Sequence, residues 1–372
     1  MRTDNRKAMP MIRNILLSAL LASAALVGPA DAAAKTLKVV ILDLEGDGGT
    51  LYVTPEGRSV LIDAGSPSEL YGGVKNGLDG AKDGVDRILA AAKSLGVKKI
   101  DDVIITHYHP DHVGGVVELV KRFPVGTFID HGPNRQTIVE TTGHNAGKVP
   151  TTVTYYAEYL DAIKGHKHIV AKAGDVFHFG SLTDTIVISD GETIAKPLPG
   201  AGEPGPLCDT PPMAADGGIE NAKSVGSLFS FGKVKIAAFG DLTWDREHDL
   251  VCPFDKVGHV NIMVLDNHGI DVSSNPALIA ATHPDLAIMG NGPTHGGMPG
   301  PVKIVNASAG LQGFWKLHAS VPNPELDGDT QYIANLGPSP SHGYTLTLDV
   351  ARNGKITVTN GRTGLSKSYR VK

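Results

Sequence analysis

Asp102-Val103-Ile104-Ile105-Thr106-His107-Tyr108-His109-Pro110-Asp111-His112-Val113-Gly114-Gly115 joins an apolar strand to a turn crowded with metal-binding side chains. Val103 to Ile105 reads as a strand buried in a parallel sheet, because a short apolar run ahead of a turn suits that setting. Pro110 stops regular structure, so the turn sits at a strand's carboxyl end, where open α/β sheets keep their sites. Three histidines and an aspartate within six positions supply imidazole nitrogens and a carboxylate, the donors that Zn²⁺ and similar ions take. A solvated polar turn would not concentrate them in this way.

His107-x-His109-x-Asp111-His112, followed by Gly114-Gly115, resembles the HxHxDH signature of the metallo-β-lactamase superfamily. The resemblance implies an α/β fold, a four-layer αββα sandwich with a two-metal site at one edge of its sheets. It also implies a hydrolase that uses a hydroxide generated on the metals, with Asp111 and His112 at the chemistry. The implied cofactors are two divalent ions, Zn²⁺ first, with Mn²⁺ or Fe as alternatives.

The rest of the chain offers further ligands at strand ends. Gly126 to Asp130 reads as a strand delivering His131, either a third ligand beside His107 and His109 or a turn histidine on the surface. In many superfamily members that ligand comes later, shortly before the bridging carboxylate. Here the later segment reads Glu220-Asn221-Ala222-Lys223-Ser224 and has no histidine. This resembles the branch related to the nuclease-like domain of DNA-uptake competence proteins. Gly240-Asp241 closes the strand Val234 to Phe239, so Asp241 either bridges two metals or caps the helix around Trp244. Val260 to Leu265 ends in Asp266-Asn267-His268-Gly269, which makes His268 the candidate for the second metal.

Asp63 ends the third of three opening strands (37–44, 50–54 and 59–63). It is read as orienting the ligands from behind or as a turn former before Gly65. Asn221, Asn267, Asn291 and His295 are candidate supporting or substrate-side groups, and so is His318, with a plain surface loop as the alternative for Asn291, His295 and His318. His144, His166 and His168 read as exposed.

The chain has 372 residues, 41% hydrophobic and 20% charged, so a large core is expected. A net charge of −5 gives no sign of a stable nucleic-acid partner. The expected substrate is a small molecule or a short nucleotide-type compound, with phosphodiester, β-lactam, lactone and other ester or amide bonds all open. Arg2, Arg6, Lys7 and Arg13 precede the apolar run Ile15 to Val27, and small residues follow. Residues 1–34 therefore read as a signal peptide, with 35–372 as one domain, exported and free of the membrane after cleavage. Cys208 and Cys252 either pair or remain two thiols. The competing functions are an iron-dependent oxidoreductase of the sulfur dioxygenase type and a non-catalytic metal-binding protein.

Overall fold

Alternation along the strands sets the layers. In the computed structural model, Leu37, Val39 and Ile41 of β1 (Leu37–Ile41) face a core between two sheets, while Val40 faces helices. The structure describes residues 1–2, 36–67, 74–138, 148–211, 213 and 218–371. The expected signal peptide and His144 lie outside the described residues. The chain divides into units 1–34 and 35–372, and the described strands and helices lie in the second.

The first sheet takes β2 (Thr50–Val53), β3 (Ser59–Ile62), β4 (Ile100–Ile104), β5 (Val125–Asp130) and β6 (Lys167–Val170) beside β1. From β3 to β6 all neighbours are parallel. The second sheet is built from β7 (Val176–Phe179), β8 (Leu182–Ser189), β9 (Glu192–Thr193), β10 (Gly226–Phe231), β11 (Val234–Ala238), β12 (Ile262–Val264), β13 (Leu286–Met289), β14 (Gly313–His318) and β15 (Ile333–Asn335). Its run from β11 to β15 is parallel. The chain then returns to the first sheet as β16 (Leu346–Val350), β17 (Lys355–Asn360) and β18 (Ser366–Arg370), with β16 pairing antiparallel to β1.

Three apolar cores separate four layers. Tyr52, Ile104, Phe229, Ile236, Trp315 and Leu348 fill the space between the sheets. On the outer face of the first sheet, Leu51, Val103 and Phe128 pack against α1 (Gly84–Ser94), α3 (Val116–Arg122) and α4 (Thr151–Ala162). On the outer face of the second, Ala237, Met263 and Ala287 pack against α5 (Trp244–Val251), α6 (Pro276–Thr282) and α7 (Pro299–Asn306). This is the expected αββα order. A short α2 (Pro110–Val113) carries part of the histidine turn.

Several boundaries differ from the sequence reading. The sequence from Val113 to Phe123 predicts one helix, but the chain here forms two pieces, α2 and α3, broken at Gly114-Gly115. A Cβ on Gly115 would lie 2.1 Å from the Ala64 carbonyl oxygen, so only glycine lets this backbone sit against the end of β3. Alternation over 344–350 and 355–360 predicts a two-stranded hairpin at the tail, but the tail is three-stranded, because β18 pairs with β17. Its exposed face carries Ser and Lys, which hides the strand from a hydrophobic pattern. The same holds for β6, where three of four residues are exposed.

Cys208 and Cys252 are joined in a disulfide across 44 positions, which settles the alternative left open by the sequence. It ties the Pro- and Gly-rich segment around residue 205 to the end of α5. Replacing both cysteines by serine should cost about 4 kcal/mol, from the chain-entropy estimate for a loop of that length. Denaturant melts of the oxidised wild type and the double variant check this, and equal midpoints would contradict it.

Candidate metal centre

Each of the histidines collected at the strand ends has one ring nitrogen fixed by a neighbour. Asp63 is the hub. Its Oδ2 accepts from His112 Nδ1 at 2.8 Å and from Thr106 Oγ1 at 2.8 Å, and its Oδ1 accepts the Thr106 backbone N–H at 2.8 Å. Thr106 has given its one proton to Asp63, so its oxygen accepts from His107 Nδ1 at 3.0 Å. His109 Nε2 donates to Gln136 Oε1 at 3.1 Å, and His268 Nδ1 donates to the Gly290 carbonyl at 3.1 Å. These bonds select the tautomers and leave His107 Nε2, His109 Nδ1, His112 Nε2 and His268 Nε2 as the atoms that can offer lone pairs.

The four remaining nitrogens converge with two carboxylates. His112 Nε2 and His268 Nε2 lie 3.3 Å apart, and each is 3.3 Å from Asp241 Oδ1. Asp111 Oδ2 is 3.5 Å from His112 Nε2 and 3.8 Å from His268 Nε2. Beside this group, His107 Nε2 is 2.9 Å from His109 Nδ1 and 3.9 Å from the other Asp241 oxygen. Asp241 thus presents one oxygen to each set. Nitrogen lone pairs facing each other at such distances repel unless a cation lies between them. The donor set therefore fits divalent metal, which competes with protons for the same atoms.

Electrostatics agree with that competition. Burial would lower the His112 imidazole, but the Asp241, Asp111 and Asp63 carboxylates outweigh it and hold His112 well above its ordinary value. His268 is raised against burial by Asp241. His107 goes the other way, held well below its ordinary value by burial and by the neighbouring His112.

The remaining sequence candidates fall in different places. Asn267 and His268 occupy left-handed backbone at φ 48° and 53°, and the Asn267 N–H donates to the Gly240 carbonyl at 3.0 Å, tying the two loops together. Asn291 is a brace between β13 and β14. Its Nδ2 donates to the His318 and Gly292 carbonyls at 2.9 and 3.0 Å, and its Oδ1 accepts the His318 N–H at 3.3 Å. Asn221 is buried in a short turn, Asn221–Lys223. His295 packs edge-on against His268 at 4.8 Å, and burial pushes its imidazole down to about 4. His131 does not join the converging nitrogens: its Nε2 is bonded to Glu220 Oε1 at 2.8 Å.

His318 is a correction to its reading as a substrate-side candidate. It is fully buried, with Nε2 at 2.8 Å from Asp43 Oδ1, in a network closed by Arg87 and Glu45. The Arg87 guanidinium lies 3.5 Å from Asp43 and 3.1 Å from Glu45 and offsets part of their charge. His168 is exposed as expected and pairs with Asp130 at 2.7 Å.

Three contributors escaped the sequence reading: Thr106, Glu220 and Asp47. Asp47 was hidden in the turn Glu45-Gly46-Asp47-Gly48-Gly49, where any aspartate reads as turn-forming. Burial and the Asp111 charge push its carboxyl up to about 7, and its Oδ2 accepts the Ser66 N–H at 3.0 Å. A cleft of about 470 Å³ opens beside it, bordered by Asp47, Ser66, Lys75, Asp111 and His295.

Residues 46–199 match the family model of the metallo-beta-lactamase superfamily. Hydroxyacylglutathione hydrolase of Aliivibrio salmonicida (strain LFI1238) is 34% identical over 90 residues, 24% of this chain and 34% of that protein. The same-named protein of Xanthomonas axonopodis pv. citri (strain 306) is 28% identical over 96 residues, 26% and 29% of the two chains. The matches span about a third of these relatives' length. Among solved structures, the metallo-beta-lactamase fold protein YhfI from Bacillus subtilis aligns with a TM-score of 0.41 at 12% identity, over 75% of this chain and 95% of that one. CmlA, a diiron beta-hydroxylase from Streptomyces venezuelae, aligns with a TM-score of 0.38 at 13% identity, over 75% and 47%. With its signature motif at the end of β4 and two sheets flanked by helices, the chain carries a metallo-β-lactamase superfamily domain over residues 46–199.

Proposed function

We propose that this chain is an exported hydrolase with a two-metal centre acting on small molecules. The observation that carries the reading is the convergence of histidine nitrogens around the two oxygens of Asp241. Divalent ions held there supply Lewis acidity and lower the pKa of water toward neutrality. His107 and His109 with one Asp241 oxygen form the first set. Asp111, His112 and His268 with the other oxygen form the second. Asp63 keeps His112 and, through Thr106, His107 in the required tautomer. Asp111 borders both the second set and the cleft, where it can orient the attacking group against the scissile centre.

The cleft favours a small substrate, since its volume lies within the range of small-molecule sites. Phosphodiester, ester and amide bonds remain the target classes, and zinc is the first choice of ion. The basic and apolar leader supports export of residues 35–372 to the periplasm or beyond. Assays of metal-loaded protein on bis-p-nitrophenyl phosphate, a chromogenic lactone and a chromogenic cephalosporin test the reading. Turnover of at least one, abolished by chelation and restored by metal, is expected. An iron-only protein inert to all three would point instead to oxidation chemistry.

Two variants probe the architecture. Asp241→Ala should lose at least one metal equivalent and nearly all turnover, read by elemental analysis and initial rates. Asp63→Ala leaves every ligand in place but frees two ring orientations, and should weaken metal affinity roughly 10- to 100-fold. Unaltered affinity would remove Asp63 from the centre.

Proton linkage gives a third expectation. His112 and His268 are both raised above the ordinary imidazole value by the carboxylates around them, so without metal they hold their protons to higher pH than a free imidazole does, and metal uptake must expel those protons. Calorimetric titration with Zn²⁺ at pH 7 in two buffers of different ionisation enthalpy should reveal net proton release. Heats independent of the buffer would contradict it.

A further inference from the structure

The first ligand set is the leaner of the two. It has His107 Nε2, His109 Nδ1 and one Asp241 oxygen, whereas Asp111, His112, Asp241 and His268 converge in the second. With fewer donors, the placement of each ring matters more. Asp63 governs His107 through Thr106, but His109 is fixed only by the neutral Gln136 side chain, in the loop after β5.

One buried carboxylate grips both sides of that contact. Glu220 is fully buried at the approach to β10. Its Oε1 accepts the backbone N–H of Tyr108, the residue between His107 and His109, at 3.3 Å. Its Oε2 accepts the N–H of Arg135, the neighbour of Gln136, at 3.0 Å. His131 Nε2 donates to Oε1 at 2.8 Å, so both oxygens are occupied by donors from the protein. Tyr108 is held at its other end too: its hydroxyl donates to the Gly132 carbonyl, and its ring packs on His131 at 4.6 Å. The segment that carries Glu220 also bonds the histidine turn directly, where the Thr106 carbonyl accepts the Val225 N–H at 2.9 Å. Burial would raise the Glu220 carboxyl, yet the bond and charge of His131 and the Arg135 N–H hold it below its ordinary value. An ionised acceptor makes bonds roughly twice as strong as a neutral one, and its loss leaves buried N–H groups unpaired.

We propose that Glu220 is a positioning residue for the first metal. It locks the Tyr108 peptide and the Gln136 loop against each other, which sets how His107 and His109 meet the ion, and His131 is the donor that holds the carboxylate in place. The inference rests on the two-metal reading of the site. Its consequence is selective: disturbing Glu220 loosens one metal and spares the other.

The test is Co²⁺ titration of the metal-free full-length chain, followed by d–d absorption against a competing chelator, with His109→Ala marking the first-set equivalent. Wild type should bind two equivalents. Glu220→Gln keeps the shape but drops the charge, and should weaken the marked equivalent roughly 10- to 100-fold while the other stays within about twofold. Gln136→Ala should weaken the same equivalent. The double variant should fall short of the product of the two single effects, because both act through the His109 ring. His131→Phe removes the donor and should also weaken that equivalent, whereas His131→Gln, with an amide N–H near the position of Nε2, should restore it. If circular dichroism shows that Glu220→Gln does not fold, the two His131 variants carry the test. Equal loss at both equivalents, a lower melting temperature with unchanged Co²⁺ affinity, single effects that multiply in full, or wild-type binding by His131→Phe would overturn the assignment while leaving the two-metal centre standing. A wild type that binds fewer than two equivalents would bring down both.

Discussion

The centre depends on hydrogen bonds that do not touch the metals' positions at all. A neutral imidazole is a ligand through one nitrogen only, and the other must carry the proton. Asp63, Thr106, Gln136 and the Gly290 carbonyl each take one such proton or pass it on, so four rings arrive with the correct atom exposed. Asp63 supports two of the four, directly at His112 and through Thr106 at His107. Its position just past β3 beside the turn after β4 follows from the parallel pairing of those strands.

The fold exists to bring distant segments to one edge. Parallel strands release their chains at the same end, and both sheets have a parallel run. The ends of β3 and β4 supply Asp63 and His107 to His112, while the ends of β11 and β12 supply Asp241 and His268. The inter-sheet core, with Phe229, Trp315 and Leu348, holds the two edges together. Gly48 shows how tightly they close: a Cβ there would sit 2.6 Å from His112 Nδ1. The left-handed backbone at Asn267 and His268 is strain of the kind that accompanies functional turns, held by the bond from Asn267 to Gly240.

Much of this was legible in the sequence because it is local or periodic. Alternation in Leu37–Ile41 and Val234–Ala238 places the layers, and the histidine turn announces itself within six residues. Asp241 and His268 were legible as polar residues ending apolar strands. What stayed hidden depends on contacts across the fold. Glu220 reads as one more acid in a polar loop until the folded chain sets it against Tyr108 and His131. Asp47 looks like any turn aspartate, and the fully buried pairing of His318 with Asp43 joins residues 275 positions apart. Edge strands such as β6 and β18 were obscured because half their surface faces water.

The central claim is that His107, His109, Asp111, His112, Asp241 and His268 hold a pair of ions around one carboxylate. Anomalous diffraction from crystals of the metal-loaded chain, collected at the absorption edge of the metal present, tests it most directly. The account predicts two peaks about 3.5–4 Å apart, one on each side of Asp241 and each about 2.0–2.2 Å from imidazole nitrogens. Peaks elsewhere, such as at Asp43, Glu45 and His318, or none within bonding reach of Asp241, would contradict it.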